Sequence, residues 1–255
     1  MKTSSTDKKN VVNRLMVNFK AGKESFELKN YKEGKIQFDS CLNHYNELSE
    51  PTNSEYITVG DCLKKLGWYW RKQKAHDRAH AFHIKRLNLM QKHGTPVEVH
   101  DSFLSLDIDA YYLKDLKLSQ SYLEQSIEVA KSIKDNTIRS RSLAMSENNL
   151  AGTLSDLKDF PNAVGASHEA LDHWLEYEEV SSNLKEHRVV WAFYNLGNIY
   201  EKWANSLRRE KKQFMPEKNQ ALRFYQLSLE RGREHELLLD DLDKIELAIS
   251  RVGGL

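Results

Sequence analysis

Apolar residues recur at steps of three and four along almost the whole chain, with charged residues filling the gaps. Leu238, Leu242, Ile245, Ile249 and Val252 form one such stripe at steps of 4, 3, 4 and 3, the spacing that gathers side chains on one face of an α-helix. Runs of alternating Val, Ile and Thr, the mark of half-buried strands, are nearly absent. Only 11 glycines and 4 prolines interrupt 255 residues. The pattern predicts an all-α chain.

Laying the chain on itself exposes a repeat. When segments are aligned on Gly22, Gly67, Asp107, Ala151 and Gly197, the spacings are 45, 40, 44 and 46 residues. The preceding position holds Ala21, Leu66, Leu106, Leu150 and Leu196, and twelve after the glycine position stand Gly34, Ala79, Ser119 and Ala163. Two helices cross closely only where both lack bulk, so the two small columns predict a helix pair. Four residues further come Phe38, His83, Leu123 and Ser167, and eight further Leu42, Leu87, Ile127 and Leu171. In the fifth copy Ala221, Tyr225 and Leu229 repeat these features after twelve extra residues, rich in Arg208, Arg209, Lys211 and Lys212 and closing in Phe214-Met215-Pro216. These read as a charged extension or loop before a proline-started helix.

The prolines fit that phase. Pro51 and Pro96 each stand 29 residues after their repeat's glycine, and Pro161 and Pro216 sit at starts of second helices, so none falls in a helix interior, where the cost is about 3 kcal/mol. The expected organisation is a polar, disordered tail over residues 1–10, then one repeat domain over 11–255. Its repeats lie near 12–48, 53–93, 97–134, 137–178 and 184–238, and a final helix over 239–252 covers the apolar face that the last pair leaves bare.

The leading Leu-Gly, the small residue and the later aromatic resemble the tetratricopeptide pattern, which implies a superhelical solenoid of about five helix pairs plus a terminal helix. Within that class, Ala192-Phe-Tyr-Asn-Leu-Gly-Asn-Ile-Tyr200, with the insertion after it, resembles the Leu-Gly-Asn repeat of the LGN/Partner-of-Inscuteable family of G-protein-signalling modulators. Gly22-Lys-Glu to Tyr31-Lys-Glu-Gly34, His80-Ala-Phe-His83 and Asp159-Phe-Pro-Asn-Ala163 extend the likeness over roughly residues 12–240. The resemblance implies a cytoplasmic scaffold recruited to the cell cortex and spindle poles, which orients the mitotic spindle by binding a peptide segment of a NuMA-like or Inscuteable-like partner. Gα would bind such a family member only through GoLoco segments, and these are absent from this chain. The Leu-Gly-Asn triplet is intact only at Leu196-Gly197-Asn198; elsewhere it reads Leu66-Gly67-Trp68, Leu106-Asp107-Ile108 and Leu150-Ala151-Gly152.

In such repeats the first helix of each pair lines the inner wall, so the alignment nominates partner-binding residues: Lys64, Trp68, Arg71 and Lys72 in repeat two, Tyr111 and Tyr112 in repeat three, Asn148 in repeat four, and Tyr194 and Asn198 in repeat five. Ser155, Asp156 and Lys202 share that phase. Aromatics beside basic residues suit an extended peptide with apolar anchors and acidic neighbours. The competing reading of each aromatic is inter-repeat packing, and of each cation an ordinary solvated face.

Composition removes other classes. Lys+Arg total 38 against 37 Asp+Glu, a net charge of +1, which gives nucleic acid no electrostatic footprint. Cys41 and Cys62 make neither a disulfide framework nor a metal pair, and no apolar run approaches the roughly 20 residues of a membrane span. His76, His80 and His83 share one helix face at i, i+4 and i+7, a spacing that can chelate zinc, yet His83 occupies the column of Phe38 and Leu123 and no further ligand completes the set. The near-zincin His168-Glu169 with His173 has its second histidine one residue too far. No phosphate-loop, dinucleotide or nucleophile-elbow motif occurs. The expectation is a non-catalytic adaptor without metal or cofactor. A kinesin-light-chain-like cargo module or a chaperone-peptide clamp is the alternative, the clamp lacking its Lys and Asn pair at Phe19/Lys23 and Lys64/Trp68.

Overall fold

A computed structural model describes residues 5–181 and 187–254. Residues 1–4 of the expected tail, the expected start of repeat five at 184, and residue 255 lie outside the described residues. Among those described there are eleven helices and no strand: α1 (Ser5–Glu27), α2 (Tyr31–Asn46), α3 (Asn53–Lys72), α4 (His76–His93), α5 (Pro96–Tyr112), α6 (Leu116–Lys131), α7 (Asn136–Asp156), α8 (Phe160–Ser181), α9 (Arg188–Arg209), α10 (Met215–Glu234) and α11 (Leu239–Gly253). The chain divides into two compact units, residues 1–122 and 123–255. No described helix is long and apolar enough to cross a membrane.

The helices start where the chemistry allows. Thr52 with Glu55 and Thr95 with Glu98 form capping boxes at the heads of α3 and α5, satisfying backbone N–H groups that have no partner in the first turn. Asp135 Oδ1 accepts the N–H of Ile138 at the head of α7. Helix α1 begins at Ser5, so residues 5–10 of the expected tail are helical, because Val11, 7% exposed, and Leu15, fully buried, extend an amphipathic stripe that the polar composition of the first ten residues conceals.

Each turn inside a pair is built alike. Lys29, Lys74, Lys114, Lys158 and Lys211 all have φ between 57° and 66°, and the residue after each donates its N–H to the carbonyl five before it, as in Ala75 to Trp70 and Asp115 to Ala110. This is the Schellman closure, whose left-handed position usually holds glycine. A side chain there costs about 1–2 kcal/mol in backbone energy.

In the first unit, Leu15, Phe26, Phe38, Cys41, Cys62, Leu63, Leu66 and Tyr69 make one core. The glycines at the crossings are required by what lies over them: a Cβ on Gly22 would come within 2.7 Å of the Phe38 ring, and one on Gly67 would collide with the His83 imidazole. In repeat three Asp107 replaces the glycine and is buried, accepting a hydrogen bond from Ser119 Oγ at 2.6 Å.

The second unit repeats the device. A Cβ on Gly197 would lie 2.7 Å from the Tyr225 ring, while Leu171, Trp174, Val189, Leu196 and Phe224 pack nearby. The twelve-residue insertion proves mostly helical: α9 runs to Arg209, twelve past Gly197, where α3 stops at Lys72, five past Gly67. Arg208 lies over the Phe214 ring, 6.0 Å from its centre, across the remaining turn. Ile245, Ala248 and Val252 of α11 are fully buried, and Arg251 grips Glu201 through Nε and Nη2, both at 2.6 Å, while Tyr225 donates its hydroxyl proton to the same carboxylate at 2.7 Å.

Because the left-handed turn positions carry a side chain at a steric cost, Lys114→Gly should stabilise the protein by roughly 0.5–1 kcal/mol, read as a higher denaturant midpoint. A fall in the midpoint would mean that the Lys114 side chain, not its backbone, matters there.

Candidate peptide-binding face

In the first unit, α1, α3 and α5 are the leading helices, and their side chains are partly committed to each other. Trp68 is half-buried in a ring cluster with Phe26 at 5.4 Å and Tyr31 at 5.0 Å, the latter edge-on at 65°. Phe26 and Tyr31 meet edge to face at 5.4 Å. The Lys72 ammonium sits 4.7 Å above the Trp68 ring centre and 5.2 Å above that of Tyr31, and Lys65 lies 5.9 Å over Phe26. These groups border a cavity of about 260 Å³ lined by Lys23, Phe26, Glu27, Tyr31, Lys64, Lys65 and Trp68. Rings held by one another form a rigid apolar floor, and the ammonium groups form a cationic rim. Lys23, Phe26, Tyr31 and Lys65 were not nominated from the sequence; the first helix of repeat one, aligned on Gly22, would have yielded Lys23 and Phe26.

Arg71 differs from that expectation. Its Nε donates to Asp109 Oδ1 at 2.8 Å and its Nη2 to the Ser105 carbonyl at 2.8 Å, and the side chain is only 16% exposed. Asp109, fully buried, also meets His83 Nδ1 at 2.5 Å. Arg71 therefore joins α3 to α5 and does not stand as a free cation on the face. Lys64 is likewise ion-paired with Asp101, which also takes Arg86 Nη2 at 2.9 Å. Sequence spacing locates a cation but not its partner one repeat on, since the partners lie 37 and 38 residues away. Among the described residues no ion pair is recorded for Lys23, Lys65 or Lys72.

Tyr111 and Tyr112, at the end of α5, are exposed, with Tyr112 stacked on His76 at 4.9 Å. The three histidines of α4 diverge in their partners: His76 to Tyr112, His80 Nε2 to the Tyr122 hydroxyl at 3.2 Å, and His83 to Asp109. No metal-holding group of acidic, cysteine and histidine side chains occurs among the described residues.

In the second unit, Asn148 accepts a hydrogen bond from Asn195 at 2.6 Å, joining α7 to α9. Tyr194 packs 5.2 Å from Tyr225 and 5.6 Å from Trp191, which makes it a packing residue. Asn198 is half-buried on α9, and Lys202 pairs with Asp156 at 2.8 Å.

The electrostatics of the α3 and α5 faces follow from burial. Burial pushes the Asp101 carboxyl up, but Arg86 and Lys64 more than offset it, and its pKa lies below the ordinary 3.8. Asp61 faces the same cations, yet its burial dominates and its pKa is raised.

No protein-family model matches the chain, and no curated protein does. Solved structures do. BtubC (BKLC) from P. vanneervenii is 13% identical, with 94% of this chain and 92% of that one aligned at a TM-score of 0.63. The nearly identical tetratricopeptide-like repeats of a Podosopora anserina putative kinesin light chain are 12% identical over 88% of this chain and 96% of theirs, with a TM-score of 0.63. A Rap protein complexed with competence and sporulation factor is 12% identical over 94% of this chain and 71% of that one, at 0.54. At such identities the likeness defines the fold: an all-helical protein of tetratricopeptide-repeat type.

A carboxylate with a lowered pKa stabilises the fold above its unfolded pKa, and the contribution is lost as pH falls through the folded value. Asp101→Asn should therefore lower stability at pH 7, and the gap to wild type should close as the pH drops below about 4. Denaturation curves across that range test it; a gap independent of pH would remove the ion pairs from the account.

Proposed function

We propose that this protein is a non-catalytic adaptor whose leading helices hold a peptide segment of a partner protein, and that the partner is NuMA-like or Inscuteable-like, engaged at the cell cortex during spindle orientation. The observation that supports peptide binding is the cavity lined from α1, α2 and α3, with Phe26, Tyr31 and Trp68 as floor, Lys23, Lys64, Lys65 and Glu27 around it, and Lys72 lying over the Trp68 ring. An apolar side chain of the peptide fills such a floor, and a neighbouring Glu or Asp meets the ammonium groups. Rigid rings supply buried area at low entropic cost, and the lysines supply orientation and on-rate. Exposed Tyr111 and Tyr112 extend the same chemistry along α5. The partner's identity rests on the Leu196-Gly197-Asn198 repeat and the insertion that follows it. A cytoplasmic address and recruitment to the cortex belong to the same reading.

The choice of variant follows from the geometry. Arg71→Glu would break the buried pair with Asp109 and disturb the fold, whereas Lys65→Glu/Lys72→Glu reverses two cations whose contacts are with the Phe26, Tyr31 and Trp68 rings. Calorimetric titration with an acidic peptide of the NuMA-like class that carries a Leu or Phe anchor should show at least about tenfold weaker binding to the double variant, with the difference shrinking at high salt. Equal affinities at both salt concentrations would remove this cavity from the site. Retention of a NuMA-like or Inscuteable-like protein from dividing-cell extract tests the partner; retention of kinesin cargo or chaperone proteins in its place would sink that identity.

A further inference from the structure

We propose that Cys41 and Cys62 form a site of reversible oxidation, closing into a disulfide that ties the second helix of repeat one to the first helix of repeat two. Both residues are fully buried free cysteines, and their sulfur atoms lie 2.9 Å apart between α2 and α3. The two cysteines occupy defined positions of the repeat. Cys41 stands seven residues after the small residue Gly34 of its second helix, and Cys62 five before Gly67 of the next first helix. The same register brings Ser126 to Ser146, whose hydroxyl oxygens are 2.9 Å apart and fully buried. It also pairs Ala170 with Ala192, 1% and 2% exposed. At the remaining junction it pairs Ser102 with Arg86, whose long side chain leaves towards Asp101.

Side chains as short as serine touch across two helices only where the backbones approach closely. A disulfide needs the same closeness, with Cα atoms about 4.4–6.8 Å apart. At the other junctions the residues in these two positions end in hydroxyl, methyl or guanidinium groups. At the first junction both are sulfur, so its chemistry alone is redox-active among these four. Burial raises the Cys62 thiol far above its ordinary range, and the adjacent Cys41 adds to the effect. Little thiolate therefore exists at neutral pH, and the pair stays reduced against bulky disulfides. Hydrogen peroxide, one oxygen atom larger than water, reaches it through local opening, which also relieves the burial that disfavours the thiolate.

The step balances with one hydrogen peroxide. One sulfur attacks a peroxide oxygen, the O–O bond breaks and a first water leaves; the second thiol then displaces the sulfenic hydroxyl as a second water, forming the S–S bond. The two thiols lose two electrons and two protons in all. A thiol reductant reverses the change. The inference depends on packing alone and not on the peptide-binding reading.

Exposure of the native chain to hydrogen peroxide, followed by denaturing alkylation and mass spectrometry, tests it. The expected product is lighter by two hydrogens, takes up no alkylating agent, yields a Cys41 to Cys62 cross-linked peptide, reverts with dithiothreitol and melts several degrees higher. Cys41→Ser/Cys62→Ser, which places serines as at Ser126 and Ser146, should fold and show neither the mass loss nor the melting shift. Two thiols still open to alkylation, sulfinic acids, or cross-links between chains would each overturn the proposal.

Discussion

In three of the five described pairs the two helices cross where one offers bare backbone and the other a ring. Phe38 over Gly22, His83 over Gly67 and Tyr225 over Gly197 are three versions of one contact, and they fix the distance and rotation between first and second helix. Protein interiors are packed densely enough that a single methyl group at such a point must be accommodated by movement. Everything on the leading helices inherits that rotation. Trp68, next to Gly67 on α3, reaches Tyr31 of α2 on the other side of the helix, and Glu201 meets Tyr225 because Gly197, four residues earlier, admits the ring. Where the glycine is missing, the crossing changes chemistry: Asp107 is buried against Ser119.

Polar links are laid over this apolar frame. The chain buries one or both members of several ion pairs: Arg71 with Asp109, Arg86 with the partly exposed Asp101, and Glu201 beneath the half-exposed Arg251. Breaking one member of such a buried pair costs more than the pair contributes, because the other is left desolvated. These links join α3 to α5 and α4 to α5, or bind α11 to α9. They specify which helices stand beside one another more than they add stability. They also consume cations that would otherwise be free for a partner, so the face that remains for binding is narrower and more aromatic than a count of lysines and arginines indicates.

The sequence was most informative where the physical cause is local. Helix pairs and the terminal stripe ending at Val252 follow from spacing within about twenty residues, and the glycine column and proline placement from the recurrence of that unit along the chain. Three features were hidden. The start of α1 at Ser5 is masked by a polar first turn. The insertion after Gly197 has a charged composition that fits a loop and an exposed helix equally, and α9 uses most of it as helix. The fate of Arg71, Lys64 and Asn148 depends on Asp109, Asp101 and Asn195, each a repeat away, and a periodic pattern shows which face a residue occupies without showing what it meets there. Tyr194 illustrates the same limit, since an aromatic at helical spacing serves a groove or a core with the same periodicity.

The crossing itself can be tested by a double-mutant cycle at the first repeat, measured by urea denaturation of wild type, Gly22→Ala, Phe38→Leu and the double variant. Alanine is the better helix former, so in open space Gly22→Ala would stabilise by up to about 1 kcal/mol. Under the Phe38 ring it should destabilise, and replacing the ring with leucine should recover much of that loss, giving a coupling of roughly 1 kcal/mol or more. Additive effects, or a stabilising Gly22→Ala with Phe38 in place, would contradict the view that bare backbone under a ring sets the geometry of this fold.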